Sequence, residues 1–367
     1  MSLRADEPGG WPAGPAQGAP LWAMAIAVIL LASGFNARPA GGRVVHWKRS
    51  GEAGRGREAA SPAEIPKRGW KDVLLRVKDA MSENRLAAVS AGIAFYTLLA
   101  LFPAIAAVVS LYGLFADPGT VDDHLESLGS FIPASGMDLI RAQVEHVTAQ
   151  GQQALGLTFI IGLAGSLWTA NAGTKALFDA LNVVYGEREQ RNFFKLTALS
   201  LVFTLGSIAF LVCAMGALVV LPAVLTFVGL GGAAEFILKL FRWPFLFAGI
   251  VFALAMIYRY GPSREKPKWR WVTWGSTLAA LLWVAVSVLF SWYAENFGNY
   301  NKTYGSLGAV IIFMTWIWIS ALAVLLGAQL DAELEHQTAR DTTTGSPKPL
   351  GQRGATMADT VGRAASD

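Results

Sequence analysis

The chain has 367 residues, of which 53% are hydrophobic and only 15% charged, a balance too apolar for an ordinary soluble domain. A formal net charge of +4 carries little by itself, and one cysteine excludes a disulfide framework or a cysteine-based metal site. The apolar residues fall in six blocks, 91–115, 155–174, 198–221, 240–257, 272–293 and 307–330, each near the ~20 residues that cross a bilayer. The fold class is therefore an all-α polytopic membrane protein with a six-helix transmembrane core.

Residues 1–20 are rich in Gly, Pro and Ala and are expected to be disordered. The apolar segment 21–35 is short. A cleaved signal peptide or a start codon placed too far upstream would account for it. An extra span with its N-terminus outside fits the charges better, because a signal peptide would export the basic residues that follow. Residues 41–67 read as a Gly/Arg/Glu-rich linker. Residues 70–90 become amphipathic, with Val73, Leu74, Val77 and Met81 on one side. A basic amphipathic helix ahead of a span suits the cytoplasmic leaflet and its anionic lipids, with packing against the bundle as the alternative.

The first core span carries Pro103 at its centre, where the missing N–H predicts a helix kink. The loop 117–153 is acidic, and its apolar residues recur at helical spacing, which predicts two short helices on the outer surface. His124 and His146 lie in this loop without metal-ligand spacing, so no metal site is expected.

The second span passes without a break into a polar helix. At about 100° per residue, Asn171, Lys175, Asp179 and Asn182 fall on one face, with Trp168 beside them. Leu167, Ala170, Leu177, Ala180, Leu181 and Val184 form the opposite face. A polar stripe at membrane depth must face protein, water or a ligand. These five residues are substrate-path candidates, expected to converge with Gln329 and Asp331 at the inner half of the bundle.

A charged turn, 186–195, leads into the third span, and a glycine-rich turn, 229–232, into the fourth. The fourth leaves the membrane at Tyr258-Arg259-Tyr260-Gly261-Pro262, followed by a short basic loop. Trp269, Trp271 and Trp274 read as one interfacial cluster. A polar, aromatic turn at 294–304 precedes the last span, which closes with Gln329, Asp331 and Glu333. The organisation is then 1–69 as N-terminal region, 70–335 as membrane core, and 336–367 as a disordered cytoplasmic tail.

Charge placement sets orientation. Of 30 Lys and Arg residues, 25 lie in 38–85, 175–195, 259–270 and 340–363, alternating with the spans. Basic loops stay inside, so both ends of the core are expected in the cytoplasm. The basic residues of 38–85 are mixed with acids and accompany no binding motif, so nucleic acid is not expected as a partner.

Four motifs, in order, carry a resemblance. They are Ala94–Pro103 (AFYTLLALFP); Trp168, Asn171, Ala176 and Ala180–Asn182 with Tyr185-Gly186; Arg242–Pro244 with Tyr258–Pro262; and Tyr304–Ala309 with Leu326–Leu330. From about residue 71 to 335 the chain resembles the YihY / virulence factor BrkB family of bacterial inner-membrane proteins. The resemblance implies six transmembrane helices in the cell inner membrane with both core termini cytoplasmic. The family's closing Gly-Ala-Glu-Leu-Asn reads here with Gln329 in place of Glu and Asp331 in place of Asn.

A ribonuclease name once attached to this family finds no support in these residues. There is no His/Asp metal constellation, phosphate loop or nucleophile–base pair, so no catalytic residue and no cofactor are expected. An intramembrane enzyme would have only Lys175 and Asp179 to use. A transporter or flippase of a lipid or other amphiphile fits the stripe best. A structural or regulatory membrane component is the alternative, and protein partners or a second copy remain open. No ATP motif is present, so transport would be passive, ion-coupled or driven by a partner.

Overall fold

Backbone that leaves water must bond to itself, and the described residues of the apolar blocks are helical. A computed structural model describes residues 54–112, 157–228, 233–297 and 306–364, with positions 137 and 141. After a 3-10 turn, Pro62–Glu64, the helices are α1 (Lys67–Glu83), α2 (Leu86–Tyr112), α3 (Leu157–Val184) and α4 (Phe193–Val228). They continue with α5 (Ala233–Tyr260), α6 (Trp269–Phe297), α7 (Ser306–Glu335) and the single turn α8 (Thr356–Asp359). Among the described residues there is no strand beyond one isolated bridge, Pro267 with Thr343. The expectations for 21–35, for the turn 229–232 and for the loop 117–153 with His124 and His146 lie outside the described residues, save that Met137 and Arg141 are helical.

Four stretches among the described residues are long and apolar enough to cross a membrane: Phe193–Ala214, Trp243–Tyr260, Trp269–Tyr293 and Val310–Glu335. The bent pair α1–α2 makes a fifth if counted as one span.

The amphipathic stretch 70–90 is two helices rather than one, bent by 61° at Asn84–Arg85. Arg85 takes a left-handed φ of 49°, which ends α1 and restarts the chain in a new direction. The Asn84 N–H still donates to Ala80 O at 2.8 Å, while its side chain reaches across to Gln329. Val73 and Val77 of the expected apolar side pack inward, but Leu74 is exposed with Leu75. The inward face holds Asp72 instead, bonded by both Arg55 nitrogen–oxygen contacts at 2.8 and 3.0 Å. Helix α2 continues through Pro103 as one element.

Helix α7 is the axis. It packs most closely on α6, then on α2 and α1, and also touches α3 and α8. Alanines make this possible: Ala180, Ala255, Ala279, Ala280, Ala321, Ala328 and Ala332 all lie in the main buried cluster. Small residues let backbones approach where lipid offers no hydrophobic drive between helices. At the α6–α7 crossing the approach is closest. A Cβ on Gly275 would collide with Gly327 O, and one on Gly327 with Gly275 O.

Helix α3 ends in a Schellman turn. Gly186, at φ 65°, donates its N–H to Val183 O, and Glu187 donates to Asn182 O at 2.8 Å.

Two expectations fail at the charged end. The tail, expected to be disordered, is folded: Thr338, Thr342, Thr343 and Arg353 are buried. Its order comes from polar bonds, not apolar area. Arg353 donates to Lys348 O, Arg340 O, Ala339 O and Ala358 O. Asp359 accepts the N–H groups of Gly351, Arg353 and Gly354. Backbone bonds then tie the tail to the bundle, Lys268 N to Thr342 O, Thr344 N to Lys266 O and Glu265 N to Gly354 O. The end of the linker is likewise built in. Ala59 and Ile65 share a buried cluster with Val73, Trp271, Leu330 and Leu334, and Arg57 donates to Gln337 O and Gly362 O. Trp271 is therefore a core residue, not a third member of an interfacial cluster. Trp269 and Trp274 are exposed.

Candidate functional site

The polar stripe of α3 is met by a second one on α4. Thr197, Ser200 and Thr204 recur at i, i+3 and i+7 and are all buried. Thr204 Oγ1 donates to Asn171 Oδ1 at 3.2 Å and also contacts Thr174 Oγ1 at 2.8 Å. One turn on, Lys175 Nζ donates to Thr197 Oγ1 at 2.9 Å. The same ammonium lies over two rings, 5.4 Å from the Trp168 centroid and 5.0 Å from that of Phe193. Those rings face outward: Trp168 is 56% exposed and Phe193 59%, beside Phe194 at 80%. Asp179 is exposed in turn. The buried members of the opposite face, Ala170, Ala180, Leu181 and Val184, pack inward as their spacing requires.

Asn182 belongs to the end of the helix rather than to the wall. Its amide donates to Glu189 Oε2 at 3.2 Å and its Oδ1 accepts from Ser263 N at 2.8 Å, joining the turn after α3 to the turn after α5. Arg191 braces the same join, donating to Glu189 at 2.6 and 2.7 Å and to Gly261 O at 2.8 Å. Burial works to raise the Glu189 pKa, but these Arg191 bonds outweigh it and hold the carboxyl below its ordinary value.

Gln329 and Asp331 form a different layer. Gln329 is fully buried, accepts from Asn84 Nδ2 at 3.0 Å and reaches Glu333 at 3.4 Å. Asp331 is fully buried against α6, accepting the Gly275 N–H at 2.6 Å. The bonds of this pair go to α1, α6 and α7, while those of Asn171 and Lys175 go to α4. The two sets are thus built into separate layers.

Three residues that sequence reasoning did not single out dominate this second layer. Arg264 and Glu335 form a two-pronged ion pair, 2.9 Å at each contact, with both side chains at 0% exposure. Thr342 Oγ1 adds a bond to Glu335 at 3.1 Å, and the guanidinium stacks 3.9 Å over the Tyr185 ring. Burial alone would lower the Arg264 pKa, but the Glu335 charge and hydrogen bonds leave it raised. Glu187, beside this pair, is shifted up by burial, against the pull of the Thr356 N–H. The signal for α4 was legible, since three hydroxyls at helical spacing stand opposite Asn171 and Lys175. The Arg264–Glu335 pair had none, because 71 residues separate its members.

The wall between α3 and α4 therefore offers a cation, a carboxylate and exposed aromatic rings side by side, which can hold a charged head beside an apolar body. Among the described residues no group of three His, Cys, Asp or Glu side chains could hold a metal ion.

Residues 77–350 match the family model described as Virulence factor BrkB. Among curated relatives, the ribonuclease-like protein YfkH of Bacillus subtilis is 30% identical over 256 residues, covering 68% of this chain and 90% of that protein. A UPF0761 membrane protein of Mannheimia succiniciproducens is 28% identical over 258 residues, 69% of this chain and 85% of the relative. Another, of Haemophilus influenzae, is 27% identical over 273 residues, 70% and 92%. No solved structure matches the chain. The UPF0761 relatives carry the name of membrane proteins.

Proposed function

This chain belongs to the virulence factor BrkB family of membrane proteins, and we propose that it moves a lipid or another amphiphile along the wall between α3 and α4. The observation that carries this reading is Lys175, held by Thr197 and by the Trp168 and Phe193 rings beside exposed Phe194 and Asp179. A headgroup crossing a bilayer needs polar groups that replace its water while its tails stay in hydrocarbon. An ammonium rimmed by exposed aromatic rings meets both demands at one depth.

The proposal includes six spans in the cell inner membrane with the Arg264–Glu335 end in the cytoplasm. The clustering of Lys and Arg in 38–85, 175–195, 259–270 and 340–363 supports it. Helix α1 would lie on that leaflet, its exposed Leu74 and Leu75 flanked by Lys71 and Lys78, a pairing that suits anionic lipids.

A structural role is the second reading, favoured by the bonds of Asn171, Thr174 and Lys175 to α4, which lock two helices together. Liposomes carrying fluorescent headgroup-labelled lipids separate the two. The transport reading expects lipid movement by the wild type and its loss in Lys175→Ala and Asp179→Asn, with folding intact. No wild-type movement across a broad lipid panel, together with assembly defects in the variants, would leave the structural reading.

A further inference from the structure

The α6–α7 crossing contains one more carboxyl group than it has cations for. Arg264 is engaged on both prongs by Glu335, and that pair is closed to solvent. Asp331, four residues before Glu335, is also fully buried, and nothing comparable answers it. Its Oδ1 accepts the Gly275 N–H at 2.6 Å, while its Oδ2 is buried with no hydrogen-bond partner. The Tyr185 hydroxyl in the same layer is buried without a partner as well. Among the remaining ionisable groups, Arg264 Nε is also buried without a hydrogen-bond partner, while both terminal nitrogens of that guanidinium are held by Glu335. Tyr258 donates to Val324 O at 2.6 Å; Glu187 accepts from Thr356 N; on the α1 side Glu333 is paired with Arg76 at 2.7 Å and lies 3.5 Å from His336.

A lone carboxylate in such a place has lost its water and gained a single N–H. One backbone bond does not replace a hydration shell, and isolated buried charges neutralise rather than persist. Neutralisation by a bound metal or ammonium needs room, and the crossing has none. A methyl group on Gly275 would already overlap Gly327 O and stand 2.6 Å from Asp331 Oδ2. The ligand that needs no room is a proton.

We propose that Asp331 is a proton-binding site inside the bundle, its carboxyl held as the neutral acid while α6 and α7 are closed on each other. Oδ1 is then the carbonyl oxygen that accepts from Gly275, and Oδ2 carries the hydrogen. Parting the helices would admit water, and the acid would release one proton to it and become a carboxylate; closing them requires that proton back. The crossing is thus a place where helix movement and proton uptake are linked. This holds whether or not the protein moves an amphiphile.

The test is infrared absorption of the full-length protein in liposomes, with ¹³C-aspartate used to assign carboxyl bands. The expected result is a protonated-aspartate C=O band at neutral and mildly alkaline pH that is lost in Asp331→Asn. Because Asn has the shape of the neutral acid, Asp331→Asn should keep the wild-type melting temperature. Should that variant not fold, wild-type protein alone gives the reading, as a protonated C=O band at neutral pH that moves to lower frequency with ¹³C-aspartate. Absence of the band from wild type at neutral pH, or its survival in Asp331→Asn, would overturn the proposal. None of these readings depends on lipid movement, so the transport proposal stands or falls separately.

Discussion

The α3–α4 wall and the α6–α7 crossing both bury polar groups between helices, and they do so in opposite ways. On the wall, neutral hydroxyls meet an amide and an ammonium, and exposed aromatic rings stand at the edge. At the crossing, two glycines bring backbones into contact around charges that solvent does not reach. Neutral side-chain bonds between membrane helices are weak, about 0.6 kcal/mol on average, because an unfolded helix in lipid finds other partners. A buried charge has no such alternative. The comparison teaches that the neutral bonds of the wall can be exchanged at small cost, whereas the buried pair at the crossing has no substitute for either partner.

The largest effect should come from halving the ion pair. Arg264→Ala leaves Glu335 buried without its cation and is expected to cost about 3–5 kcal/mol. Thermal unfolding in detergent should show this, and an Arg264→Met/Glu335→Leu double variant should recover most of the loss. Equal damage in single and double variants would mean the layer is held by packing, not charge. Gly327→Ala comes next. The added methyl would collide with the Gly275 backbone oxygen and press on Ala279 Cβ and the Tyr258 hydroxyl at 2.6 and 2.9 Å, and overpacking of this kind costs about 1–3 kcal/mol or more.

The wall should respond far less. Asn171→Ala removes one bond to Thr204 and is expected to cost about 0.6 kcal/mol, a small change in melting temperature. A loss as large as that of Gly327→Ala would erase the distinction between the two regions.

The smallest effects concern pH, and two tail contacts carry opposite signs. Burial would raise the Asp341 pKa, but bonds from Thr343 and Lys348 hold it lowered. Its contribution is therefore present above the unfolded aspartate value and lost as pH falls through the folded one. Glu187 is raised by burial, so what it contributes is present below the unfolded glutamate value and lost as pH rises through the folded one. Hydrogen-exchange protection factors over 338–359, which correct for the slower intrinsic exchange in acid, should accordingly fall in acid for wild type, and Asp341→Asn should remove that part of the acid dependence. Glu187→Gln should slow exchange slightly at neutral pH and leave it unchanged in acid.

Periodicity made the helices legible. The spacing that put Asn171 and Lys175 on one face also put Ala180, Leu181 and Val184 on the other, and the buried cluster contains those three. Local pattern could not show which polar residues find each other across long separations. Arg57 bonds the carbonyl of Gly362, 305 positions away, in a tail whose composition resembles disorder. Arg85 is another case, since nothing in its neighbourhood marks it for a left-handed turn. Leu74 sits beside Val73 in sequence, yet only Val73 finds a buried place, because Asp72 is drawn inward by Arg55. The seven site candidates all lie on α3 or α7. What separates them follows from partners that the stripe itself does not reveal: α4 for Asn171 and Lys175, the turns after α3 and α5 for Asn182, and Asn84 and α6 for Gln329 and Asp331.

The Arg264–Glu335 pair also bears on how the protein is made. Synthesis runs from the N-terminus, so Arg264 exists 71 residues before the group that neutralises it. Until then the newborn chain holds an unanswered guanidinium and a bare glycine face on α6. The helix that closes both, α7, is made after α6, and the segment that adds Thr342 to Glu335 follows it. A chain truncated before Glu335 would therefore keep an open, charged seam between Arg264 and the glycine face of α6.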